Sequence, residues 1–67
     1  MTDQLHNRVR ALREAKGWTQ LELAERMGVS RKTVNTIENN VFAPSALVAL
    51  KMARAFSTSV EEIFWLD

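Results

Sequence analysis

Apolar residues recur along this chain at helical spacing, and residues that start or stop helices break the pattern at short intervals. Leu5, Val9 and Leu12 stand at i, i+4 and i+7, which predicts an amphipathic helix from about Asp3 to Lys16 with one buried face, ended by Gly17. Thr19 and Glu22 then have the T-x-x-E spacing of a capping box, in which each side chain covers a backbone amide left unpaired at a helix start. That second helix is expected to end at Met27, because Gly28 enters the left-handed conformation without steric cost and allows a sharp bend before Ser30 caps a third helix. At about 100° per residue, Val34 and Ile37 fall on one side of the third helix and Lys32, Asn35, Thr36 and Asn39 on the other. After the loop Asn40-Val41-Phe42-Ala43, Pro44 disfavours helix before it and Ser45 caps a fourth helix running to about Phe56. Its inward stripe is expected to be Ala49, Leu50, Ala53 and Phe56, with Met52 beside it as an adaptable filler. A second capping box, Ser59 with Glu62, opens a last helix carrying Val60, Ile63 and Phe64 before Trp65-Leu66-Asp67. The prediction is an all-α fold of five helices around one core.

The segment from Thr19 to Ile37 therefore reads as helix, sharp bend, and helix with a polar outer face, an arrangement that suggests a DNA reader. Arg31 lies on the flank of the third helix in its first turn, and a guanidinium fork matches the paired acceptors of a guanine edge in the major groove. The carboxamide of Asn35 is suited to adenine in a similar way. The bland alternative is that Arg31, Lys32 and Asn35 only solvate an exposed helix surface, and the preceding helix and Gly28 are what weigh against it.

Composition narrows the choice further. Sixty-seven residues with 46% apolar content are expected to form a single domain, residues 1–67, with one modest core. With no cysteine, neither disulfides nor thiolate metal sites supplement that core, and a reducing cytoplasm fits best. His6 has no second imidazole beside it in the sequence, so no metal is expected. No secretory segment is recognised, and the most apolar stretch, Ala46 to Phe56, is interrupted by Lys51 and Arg54 and is too short to span a bilayer. Net charge is only +1 but uneven: residues 1–35 carry seven Lys or Arg against four Asp or Glu, whereas Lys51 and Arg54 face Glu38, Glu61, Glu62 and Asp67 in the remainder. A basic, DNA-facing half and an acidic far half follow. One unpaired His6, no cysteine and no glycine-rich phosphate loop leave little to perform chemistry, so neither catalysis, a cofactor nor a small-molecule ligand is expected.

The segment TQLELAERMGVS, followed by a polar helix ending Ile37-Glu38-Asn39, resembles the lambda-repressor-like, or XRE, family of helix-turn-helix regulators. The resemblance extends from Asn7-Arg8 through Leu12-Arg13 and Lys16-Gly17 to Pro44-Ser45 and on to Ser59-Val60-Glu61-Glu62-Ile63-Phe64. It implies a compact five-helix domain in which the second and third helices form the motif and the third, residues 30–39, lies in the major groove. Arg31, Lys32 and Thr36 occupy the positions it marks as base readers, and Asn35 joins them on geometry. Gln20 and Asn39 resemble residues that hold phosphates, with Thr33 a weaker candidate; a plain helix-start residue for Gln20 and a plain C-cap for Asn39 are the alternatives. The resemblance also places Arg13 opposite Glu38 as a partly buried ion pair joining the first helix to the end of the third. Trp18 is expected as a staple onto the core, and Phe42 as a plug holding its loop against the core.

Several positions depart from the family pattern. Asn40 and Ser57 stand where glycine is usual, and serine tolerates the left-handed conformation less well than asparagine, so Ser57 leaves the end of the fourth helix and the orientation of the last helix open by a residue or two while the core fold is expected to survive. The loop from Val41 to Ala43 lacks the usual basic residue. Leu21 and Leu47 replace charged residues, and Trp65-Leu66 adds apolar surface, which points to a homodimer through the fourth-to-fifth helix region with Val60, Phe64 and Trp65 as contacts. The reading that follows is a transcriptional regulator, and specifically a repressor, binding double-stranded DNA as a homodimer on a pseudo-palindromic operator. The alternative is an adaptor or antitoxin-like interaction module on the same fold.

Overall fold

A computed structural model describes residues 3–67 of the chain, and along them the order is β1 (Leu5–Asn7), α1 (Val9–Ala15), α2 (Gln20–Met27), α3 (Arg31–Glu38), α4 (Ala46–Phe56), α5 (Val60–Ile63) and β2 (Phe64–Leu66). Five helices form where caps and periodicity predict them, but the two ends of the chain correct the sequence reading. Residues 3–8 are not helical. Leu5, His6 and Asn7 pair antiparallel with Leu66, Trp65 and Phe64, so their backbone groups are satisfied by residues far along the chain, a pairing that local periodicity does not register. The Asn7 side chain then starts α1 by accepting a hydrogen bond from the Val9 N–H at 3.0 Å, and the Arg8 N–H donates to the Ile63 carbonyl at 3.0 Å.

The last helix is a single turn. Ser59 stands at its N-cap without a side-chain capping bond, so the expected box with Glu62 does not form, and Phe64 leaves in extended conformation (φ −123°, ψ 144°) to enter β2. Along α4 the buried positions are Ala49, Met52, Ala53 and Phe56, at i, i+3, i+4 and i+7. Leu50, expected inside, lies one step off this stripe and is 62% exposed, and Met52 fills the interior in its place. Phe42 is likewise not a plug: it is 69% exposed. The chain leaves α3 through Asn40 in the left-handed region (φ 58°), with the Val41 N–H bonded to the Thr36 carbonyl at 2.9 Å, and this turn directs Phe42 outward.

The same closure ends four helices. The N–H after the left-handed residue reaches back five residues, from Trp18 to Arg13, Val29 to Ala24, Val41 to Thr36 and Thr58 to Ala53, at 2.9 to 3.1 Å. Gly17, Gly28, Asn40 and Ser57 are the left-handed residues. α4 thus ends where its sequence pattern ends, with Ser57 accepting the strained conformation (φ 56°) in place of glycine.

The core joins Val9 of α1, Leu23, Ala24 and Met27 of α2, Val34 and Ile37 of α3, the α4 stripe, Ile63 and Phe64. Each large side chain fully buried there contributes on the order of 1.5–3 kcal/mol. Trp18 acts as the expected staple: its ring stacks on Phe56 at 5.8 Å, and the Arg26 guanidinium covers it at 4.2 Å.

Because Ser57 carries a Cβ in the left-handed region, Ser57→Gly is expected to stabilise the fold by about 1 kcal/mol, raising the melting temperature by roughly 4–8 °C. Thermal unfolding followed by circular dichroism checks this, and an unchanged or lower midpoint contradicts it.

Candidate nucleic-acid interface

α2, the bend and α3 build the site. At the start of α2, the Thr19 hydroxyl accepts from the Glu22 N–H at 3.1 Å while the Glu22 carboxylate accepts from the Thr19 N–H at 2.9 Å. At its end Gly28 is left-handed (φ 74°, ψ 36°), and a Cβ built there meets nothing within 4 Å. Glycine is therefore favoured there by backbone rotation and not by crowding. Ser30 caps α3, accepting from the Thr33 N–H at 3.2 Å, and its hydroxyl also bonds the Thr33 hydroxyl at 3.0 Å.

α3 presents two unlike faces. Val34 and Ile37 are buried, whereas Arg31, Lys32, Asn35 and Asn39 are exposed. Among the described residues, neither Arg31 nor Lys32 takes part in an ion pair. Thr36 is half-buried, and its hydroxyl donates to the Thr33 carbonyl at 3.0 Å.

Beneath this face lies a carboxylate with no solvent exposure of its side chain, Glu38. Arg13 donates to it through Nε at 2.6 Å and Nη2 at 3.2 Å, and its Nη1 donates to the Trp18 carbonyl at 2.8 Å. Arg10 adds a bond from Nε at 3.4 Å, and the Gln20 amide another at 3.2 Å. Burial alone would raise the Glu38 pKa, but the hydrogen bonds from Arg13, Gln20 and Arg10 and the positive charge of Arg13 outweigh it and hold the carboxyl below its ordinary value. The same pairing with Glu38 raises the Arg13 pKa.

The network continues into the outer face. Gln20 Nε2 donates to Asn35 Oδ1 at 3.2 Å, and Asn39 Nδ2 donates both to that oxygen and to the Asn35 main-chain carbonyl at 2.9 Å. Arg10 Nη2 donates to Asn39 Oδ1 at 3.4 Å. Gln20, Asn35 and Asn39 thus stand together, and the amide hydrogens of Gln20 and Asn39 already have partners within the protein. Sequence reasoning missed Asn7 and Arg10. Asn7 Nδ2 donates to the Ile37 carbonyl at 3.1 Å and to Asn40 Oδ1 at 2.9 Å, anchoring the far end of α3. The i, i+3 spacing of Arg10 and Arg13 was the one local signal that both face the same side of α1.

The residues expected at a dimer interface are placed unequally. Phe64 is only 7% exposed and belongs to the protein's own core, which corrects its assignment as a contact. Val60 packs half-buried against that core. Trp65 is 40% exposed, stacked on His6 at 5.9 Å with the Arg8 guanidinium 4.7 Å over it, and His6 pairs with Asp67. No helix among the described residues is long and apolar enough to cross a membrane.

Two helices at a fixed bend, the second turning outward a face that bears amides and two cations outside any ion pair among the described residues, define a helix-turn-helix DNA-binding domain. The helix-turn-helix family model matches residues 9–63, and the chain belongs to the XRE/Cro, lambda-repressor-like family of helix-turn-helix transcriptional regulators. It is 44% identical over 63 residues to an uncharacterized HTH-type transcriptional regulator of Bacillus subtilis, YgzD, covering 94% of this chain and 96% of that one. It is 38% identical over 58 residues to the competence pilus inhibition repressor of Acinetobacter baylyi, a match that covers 87% of this chain and 53% of the longer relative. Among solved structures, the hypothetical transcription factor NHTF from Neisseria superposes with a TM-score of 0.76 at 31% identity, over 81% of this chain and 61% of that one. The protein is accordingly an HTH-type regulator that binds DNA, from a family without enzymatic activity.

Removing Arg13 strands the Glu38 carboxylate, so Arg13→Ala is expected to lower the unfolding free energy by about 3 kcal/mol in urea at pH 7, the low end for a broken buried pair because Arg10 and Gln20 remain. The depressed Glu38 pKa adds stability that is complete above the ordinary value near 4.5 and is lost as pH falls through the lower folded value. In Glu38→Gln that part of the acid limb should flatten, and an unchanged acid limb contradicts the assignment.

Proposed function

We propose that this protein is a repressor that binds a pseudo-palindromic operator as a homodimer, with α3 of each protomer in a major groove. The observation that carries this reading is the division of α3, with Val34 and Ile37 buried and Arg31, Lys32 and Asn35 exposed beyond a capped N-terminus. Arg31 reads a guanine edge, Lys32 and Asn35 reach neighbouring bases, and Thr36 offers its methyl group at the rim of the half-buried face. Thr33 holds a phosphate through its hydroxyl. Gln20 does so through its main-chain N–H at the start of α2, since its side-chain amide is engaged with Asn35 and Glu38. Asn39, assigned to phosphate by resemblance, has its amide donors on Asn35 and contributes by holding that residue. The repressor named in Acinetobacter baylyi supports the regulatory sign.

The dimer forms around Val60 and Trp65, extended by Leu66, which is 57% exposed. A two-fold axis sets the recognition helices about 34 Å apart, one turn of DNA, and the operator half-sites share that spacing. Most of the affinity comes from phosphate contacts, few in number because the loop from Val41 to Ala43 carries no basic residue.

Selection of bound duplexes from a random pool is expected to return an inverted repeat. On that site Arg31→Ala should cost roughly 1–3 kcal/mol and relax one base position; equal losses on cognate and random duplexes would reject Arg31 as a base reader. Sedimentation is expected to show a dimer that Trp65→Ala weakens, and a monomer with and without DNA at high concentration rules the dimer out.

A further inference from the structure

The orientation of the Asn35 carboxamide follows from groups whose hydrogen-bonding sense is unambiguous. Glu38, ionised between Arg13 and Arg10, only accepts, so the Gln20 atom 3.2 Å from Oε1 is the amide nitrogen. The same nitrogen lies 3.2 Å from the Asn35 side chain, so the Asn35 atom facing it is the oxygen. A second path gives the same answer. Arg10 only donates, so the Asn39 atom 3.4 Å from its Nη2 is the oxygen, and the Asn39 nitrogen meets the Asn35 main-chain carbonyl and the Asn35 side-chain oxygen, each at 2.9 Å. Both lone pairs of Asn35 Oδ1 therefore have protein donors, while its Nδ2 has no hydrogen-bond partner among the described residues and the residue is exposed.

From this geometry we infer that Gln20 and Asn39 are positioning residues that lock the Asn35 carboxamide with its oxygen turned inward, so that Asn35 offers the groove donors only and selects guanine over adenine at the base pair it faces. The inference rests on the reading of α3 as the base-reading helix. Bidentate recognition of adenine by asparagine needs the oxygen to accept from N6–H and the amide to donate to N7. With the oxygen occupied, adenine would set its N6–H donors against the Asn35 donors, whereas guanine presents two acceptors, O6 and N7, on the same edge. The carboxylate under α3 thereby determines, through Gln20, which base its outer face accepts.

The test is competition binding to the selected operator with each half-site base pair replaced in turn. Asn35→Ala identifies the pair concerned as the one where discrimination collapses. There the wild-type protein is expected to favour guanine over adenine by roughly tenfold. In Gln20→Leu/Asn39→Ala the ratio should fall towards one or reverse, with Gln20→Leu alone intermediate. A phosphate interaction removed together with these side chains weakens all duplexes alike and cancels in the ratio. In the free wild-type protein, nuclear magnetic resonance should show slowed solvent exchange for the Gln20 and Asn39 side-chain amides and unprotected exchange for that of Asn35. Adenine preferred by the wild type, or an unchanged ratio in the double variant, overturns the proposal. A protected Asn35 amide overturns the lock without reference to DNA. A wild-type protein that discriminates at no base pair overturns the groove reading and this proposal with it, and the exchange pattern then shows whether the lock itself was present.

Discussion

The buried Glu38 carboxylate is the constraint around which the site is organised. An ionised group without access to water is tolerable only when its oxygens are satisfied, and here α1 supplies Arg10 and Arg13 while α2 supplies Gln20. Meeting that requirement ties three helices together at the C-terminal end of α3. Arg13 extends the tie to the Trp18 carbonyl, just ahead of the α2 capping box, so the start of α2 and the end of α3 share one polar junction. The pair is a weak source of net stability and a strong source of orientation, because a helix arrangement that moved Arg13 or Gln20 away would leave the buried charge without its donors.

Around this junction the helices are kept short by repetition of one closure. Gly17, Gly28, Asn40 and Ser57 each carry the chain through the left-handed region and return the following N–H to the preceding turn. Short helices expose many unpaired end groups, and these closures, with Thr19, Ser30 and Ser45 at the N-termini, satisfy them locally. The apolar core is then free to be small. It needs only to join faces already defined, with Leu23, Val34 and Met52 among its fully buried members.

The nucleic-acid interface is the outward consequence of the same arrangement. α3 is amphipathic, its inner side is held by Val34 and Ile37, and its polar side is left to solvent with two cations outside any ion pair among the described residues. Arg31 and Lys32 are long and free to adapt. Asn35, by contrast, is bonded to Gln20 and Asn39 and through them to Glu38 and Arg10, so interior electrostatics reach the surface through amide groups. The outer face thus sets one side chain held by hydrogen bonds beside two long cationic ones outside any ion pair among the described residues.

The sequence alone determined the helical elements from Thr19 to Phe56, because caps, left-handed turn residues and the 3.6-residue period act over a few neighbouring residues and leave their mark locally. It also determined which face of α3 turns outward, and the family resemblance placed Arg13 against Glu38. Tertiary structure decided what depends on residues far apart in the chain. Leu5 to Asn7 became a strand because Phe64 to Leu66 offered it an edge, and that pairing shortened the last helix and withdrew Phe64 into the core. Leu50 lies one step off the buried stripe of α4 and Phe42 follows the left-handed turn at Asn40, and both are exposed. The orientation of Asn35 belongs to the same class: it is set by hydrogen bonds from residues 15 positions before it and 4 after it, and it emerges only when the fold brings a buried charge beneath them.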